Sequence, residues 1–103
     1  MSAYRILTAA EIESELKNLS GWSVKGTNIE AAFEFKSFRD AIAFIVEVAI
    51  EAEVVNHHPE FTNSYNKVSF SFCTHDAGHK ITDADVGIAT AINKLASRFK
   101  SMS

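Results

Sequence analysis

The spacing of apolar positions changes several times along the chain. In IEAAFEFK, residues 29–36, the period is two: Ile29, Ala31, Phe33 and Phe35 alternate with Glu30, Ala32, Glu34 and Lys36, as in a half-buried strand. Trp22 and Val24 pair with this strand across Gly26-Thr27-Asn28, a turn-forming tripeptide. FTNSYNKVSFSFCT predicts a short strand near 61–65 and a clearer one at 67–73, where Val68, Phe70 and Phe72 alternate with Ser69, Ser71 and Cys73. Around the strands the period lengthens to that of a helix. Thr8, Ser37 and Thr82 each precede a carboxylate three residues on (Glu11, Asp40 and Asp85), the hydroxyl-and-acid pattern of a capping box or its Asp variant. Helices are expected at about 8–19, 37–56 and 82–100.

In the middle helix, Phe38, Ala41, Ile42, Ile45, Ala49 and Ala52 recur at helical spacing and predict a buried stripe. Phe44, Val48 and Val55 form a second apolar ridge, expected to meet a second subunit. The element order is α-β-β-α-β-β-α. Hairpin strands beside helices indicate an α+β fold, a four-stranded antiparallel sheet with helices packed on one face. The other face is polar, rich in Ser and Thr.

Length and composition narrow the class. With 103 residues and 47% apolar content, one folded domain spanning 1–103 is expected. A net charge of −3 and a pI near 5.7 argue against direct nucleic-acid binding, which favours a basic patch. A single cysteine, Cys73, excludes an internal disulfide framework and fits a reducing compartment. MSAYRILTAAEIESEL has no signal-like apolar core, and charges interrupt every apolar run short of about 18 residues. A cytoplasmic protein without membrane contact is expected.

The chemistry concentrates in two stretches. VVNHHPEF, residues 54–61, holds two of the four histidines and the only proline. Proline cannot continue a helix and makes the residue before it extended. Pro59 should therefore end the helix by about Asn56 and place His57 and His58 at its C-terminus. Ordinary imidazoles titrate near neutrality and serve as acid or base. Glu53, four residues before His57, can orient a nearby imidazole or simply reach solvent. The second stretch is CTHDAGHKITDAD, residues 73–85, with His75 at a strand end and Asp85 in the first turn of the last helix, where a capping role is the plainer reading. Nothing near Cys73 in sequence lowers its pKa. His75 and His79 have H-x-x-x-H spacing, but that places two imidazoles together only on a helix, and Asp-Ala-Gly between them reads as a turn. His79 reads as loop, and no metal site is expected.

AEVVNHHPEF, then YNKV, then THDAG ahead of a T-x-x-D helix start, resemble the pterin-4a-carbinolamine dehydratase (4a-hydroxytetrahydrobiopterin dehydratase) family over roughly residues 8–100. The resemblance implies dehydration of a 4a-hydroxy-tetrahydropterin, the product of aromatic amino-acid hydroxylases, to quinonoid dihydropterin. That elimination needs a general acid and a general base and no metal or redox cofactor. The family's catalytic histidines fall on His57, His58 and His75, and its carboxylate on Glu53. Substrate-contacting residues fall on Asn56, His57, His58 and Pro59, and on Cys73, Thr74, His75, Asp76 and Asp85. The expected partners are a small-molecule pterin and further copies of the chain, as a homodimer or homotetramer through helices. A dimerisation cofactor for a transcriptional regulator is the alternative function. The chain departs from the animal form at Asn56, where an aspartate is common, and at Phe61, often tryptophan. The 77–81 loop is one residue longer, and no arginine precedes Asp85.

Overall fold

The computed structural model describes residues 4–101. They form α1 (Ala9–Leu16), β1 (Ser23–Lys25), β2 (Asn28–Glu34), α2 (Phe38–Val55), β3 (Phe61–Ser64), β4 (Lys67–Phe72), a 3₁₀ turn (His75–Ala77) and α3 (Asp83–Ser101). The expected α+β order is present. The sheet is four-stranded and antiparallel throughout, in the order β1-β2-β4-β3.

Register fixes the two faces of the sheet. Ile29 lies opposite Phe72, Ala31 opposite Phe70, and Phe33 opposite Val68. Directly opposed residues share a face, so these side chains make one apolar surface for the helices. The intervening pairs, Glu30 with Ser71 and Ala32 with Ser69, make the polar face. Phe44 from α2 is fully buried at the centre. Its ring lies 4.7 Å from Phe35 and 6.0 Å, nearly perpendicular, from Phe70 and Phe99. Small residues bring α2 and α3 close: Ala41, Ala52, Ala89 and Ala96 are all buried.

The three hydroxyl-and-acid starts end differently. Thr8 and Glu11 close a full capping box. Ser37 accepts from the Asp40 amide. At Thr82 the Asp85 carboxylate accepts the Thr82 amide, while the Thr82 hydroxyl accepts from Ala84. Helix α1 stops at Leu16, short of the expected 19. The Asn18 and Leu19 amides reach back three residues to Glu15 and Leu16, a tightened turn that sends Leu19 into the core.

The predicted faces of α2 need correction. The buried stripe is Ala41, Phe44, Val48 and Ala52. Phe38, Ile42 and Ala49, expected inside, are exposed, and Ile45 is partly covered. Phe44 and Val48, expected at a subunit contact, belong to the domain's own core; Val55 is exposed. Both stripes are apolar at helical spacing, so periodicity alone could not say which faces the sheet. What decides is tertiary packing, in which Phe44 on this stripe meets Phe35 and Phe70 on the sheet side and Phe99 of α3. Phe44→Ala should therefore cost about 3–5 kcal/mol in urea unfolding, whereas Val55→Ala, at a position 55% exposed, should stay within about 0.5 kcal/mol.

Candidate active site

Three element ends converge here: the C-terminus of α2, the end of β4 with the 3₁₀ turn, and the start of α3. Helix α2 closes with Asn56 in the left-handed region, at φ 52° and ψ 45°. The Asn56 amide donates to the Glu53 carbonyl and the His57 amide to the Ala52 carbonyl, the bond pair of a Schellman close. Asparagine tolerates this conformation better than most non-glycine residues. Its place in the chain therefore has a backbone reason. The close aims His57 back over the domain, and Pro59 then carries the chain towards β3.

His57 Nε2 lies 2.7 Å from Asp85 Oδ1. Asp85 has no exposed surface. Its second oxygen accepts the Thr74 hydroxyl at 2.8 Å and the Thr82 amide at 2.9 Å. Thr74 has one hydroxyl hydrogen, and Asp85 takes it. The 2.8 Å contact between the two threonine hydroxyls is then Thr82 donating to Thr74. No buried side-chain polar atom among the described residues lacks a partner. A carboxylate acceptor at Nε2 fixes the hydrogen there and leaves the His57 Nδ1 lone pair for chemistry.

His58 follows a different course. Its Nε2 lies 2.6 Å from Glu53 Oε1, with both side chains more than half exposed. Glu53 thus serves His58 rather than His57, because the left-handed Asn56 turns the chain between them. Glu53 and Pro59 line a separate apolar hollow beside Ile45, Val48 and Phe61. They do not line the cleft that holds the histidines.

That cleft measures about 230 Å³ and brings together Asn56, His57, His58, Cys73, Thr74, His75 and Asp76. It is smaller than the ~300–1,000 Å³ of drug-sized pockets, a size suited to one compact ring system. Asp85, expected among the contacting residues, lies beneath His57 with no surface to offer a ligand. Tyr4, Asn28, Glu60, Ser71 and Phe72 also line the cleft and were not anticipated. Asn28 donates to the Ser71 hydroxyl, which donates to Glu30, so the polar sheet face forms one wall. The abundance of polar residues on that face was the available signal. Burial, then the charges of Asp85 and Glu60, push the Cys73 thiol up from its ordinary value. Cys73 is therefore a poor nucleophile as it stands.

Fold and cleft together define an α+β domain with three histidines lining one polar cleft. Residues 5–95 match the family described as Pterin 4 alpha carbinolamine dehydratase, and the chain belongs to it. A candidate pterin-4-alpha-carbinolamine dehydratase of Opitutus terrae is 44% identical over 88% of this chain and 94% of its own length. One of Sulfurisphaera tokodaii is 46% identical over 86% and 95%. The crystal structure of a transcriptional coactivator/pterin dehydratase from Brucella melitensis superposes with a TM-score of 0.84 at 36% identity, covering 89% of this chain and 99% of that one. A pterin dehydratase-like RuBisCO assembly factor of the alpha-carboxysome shares the fold at a TM-score of 0.60 and 21% identity, over 73% and 86%.

The two histidine–carboxylate pairs should differ sharply in their weight. Asp85→Ala strands Thr74, the Thr82 amide and His57 in a buried site and should cost about 3–5 kcal/mol. Glu53→Ala removes an exposed pair and should cost under about 1 kcal/mol. Paired urea titrations of the two variants check this.

Proposed function

We propose that this protein is a 4a-hydroxytetrahydrobiopterin dehydratase, converting a pterin-4a-carbinolamine to quinonoid dihydropterin and water. The observation that carries the reading is the buried Asp85 holding His57 in the cleft that also contains His75. In the reaction the C4a–O bond breaks as its oxygen takes a proton from a general acid. The N5 proton passes to a general base, and the freed pair closes the N5=C4a bond. One proton is delivered and one taken, so two imidazoles of opposite protonation suffice, with no redox change. His57 and His75 carry these transfers. His58, tied to Glu53 at the rim, positions the pterin. Asp85 acts through His57 as a positioning residue. Such an enzyme works in tetrahydrobiopterin recycling, in the cytoplasm, downstream of a hydroxylase. Among the described residues no helix is long and apolar enough to cross a membrane.

His57→Ala and His75→Ala should each slow dehydration of enzymatically generated 4a-hydroxypterin by about 10²–10⁴-fold in stopped flow. Wild-type rates in both variants would sink the assignment.

The exposed side of α2 supports a homo-oligomer. Ile42, Val46, Ile50 and Val54 follow one another at four-residue spacing and are all exposed, a continuous apolar stripe that suits helix-to-helix packing. The same stripe is where the alternative role, docking onto a transcriptional regulator, would act. Light scattering should show a multimer that Val46→Asp with Ile50→Asp reduces to monomer while the cleft keeps its activity. An unchanged mass would contradict self-association through this face.

A further inference from the structure

The 3₁₀ turn after β4 does something the sequence argued against. Thr74 is extended, at φ −96° and ψ 105°, so Cys73 and His75 on either side of it project to the face opposite its own side chain. The chain then turns through Gly78 and His79, both at positive φ, 77° and 60°. The Thr74 amide donates to the Lys80 carbonyl, and the His79 amide donates to the Thr74 carbonyl, closing a tight loop. The loop folds His79 back over His75, with ring centroids 4.7 Å apart. One donor atom each from Cys73, His75 and His79 lies within 4.8 Å of the other two. A histidine in the left-handed region is uncommon and held at some cost, and here it completes the cluster.

We propose that Cys73, His75 and His79 form a binding site for a zinc-class divalent cation, and that occupation of this site switches off the cleft by taking the His75 lone pair. The donor set of one sulfur and two imidazoles suits zinc. Tetrahedral zinc with bonds of ~2.0–2.3 Å sets its donors about 3.3–3.6 Å apart, so rotation of the two exposed imidazoles closes the remaining gap. The thiol proton leaves to solvent as the sulfur binds. Three protein ligands leave a fourth position for water. The ion inhibits rather than catalyses, because the site consumes a proposed acid–base group. This second clause rests on the dehydratase reading; the binding clause does not.

The test is a cobalt titration of the full chain, followed by zinc competition. Cobalt should produce a thiolate-to-metal charge-transfer band at one equivalent, which zinc abolishes. Cys73→Ala should lose the band. His79→Asn keeps a residue suited to positive φ and should weaken zinc binding by at least the ~10–100-fold seen when a metal's outer partners are removed. In the activity arm, zinc should stop wild-type dehydration and spare His79→Asn, whose metal-free rate should match wild type. Absence of the band, or equal affinity in His79→Asn, overturns the site. A full band with dehydration unaffected overturns the switch alone. A chain with no dehydratase activity overturns the function and the switch, and leaves the site to be judged on the band.

Discussion

Asp85 is the point on which the rest of the site depends. A carboxylate with no exposed surface is tolerable only when its charge is compensated, and three donors from three elements meet it. Thr82 belongs to the start of α3, Thr74 to the extended link between β4 and the 3₁₀ turn, and His57 to the segment after α2. Each donor fixes one element end against the others. The same interaction therefore sets the architecture of the domain's edge and the tautomer of the histidine lying in the cleft. A residue that begins as a helix-capping acid becomes, through burial, the orienter of an imidazole 28 residues away in the chain.

The two histidines of the HHP run are consequently unequal. His57 is mostly buried and held by a fully buried partner, while His58 and Glu53 meet in water at the rim. Electrostatic coupling is strong where solvent is excluded and weak where it is not. Two adjacent residues of one type thus sit in different electrostatic settings through burial alone. Asn56, between the two carboxylate-bearing stretches, has a backbone role. Its left-handed conformation shapes the chain, and the carboxylate that orients the histidine comes from Asp85.

Local signals made much of this legible beforehand. The alternation in IEAAFEFK gave β2 with its faces correctly assigned, because a strand in this fold buries one side only. Pro59 placed the end of α2 within a residue, since it acts through its own covalent geometry. The faces of α2 were not legible, because the helix is apolar on two sides and only tertiary packing separates them. The pairing of His57 with Asp85 was hidden for the same reason: each residue had a sufficient local role, and nothing in the chain brings them together before the sheet forms. The meeting of His75 with His79 depends on His79 itself adopting positive φ, a conformation that histidine visits more often than most residues but that remains too uncommon to assign from sequence.

On the proposed function, Asp85 makes His57 a working acid–base group without touching the substrate. The most direct measurement is the dehydration kinetics of Asp85→Asn, which keeps the side chain's shape and every histidine but presents His57 with an amide in place of a carboxylate. kcat should fall steeply with KM little changed, in the direction of the ~10⁴-fold loss seen when a catalytic histidine is given an amide for its carboxylate, in a protein that remains folded. A folded Asp85→Asn variant turning over at the wild-type kcat would contradict it.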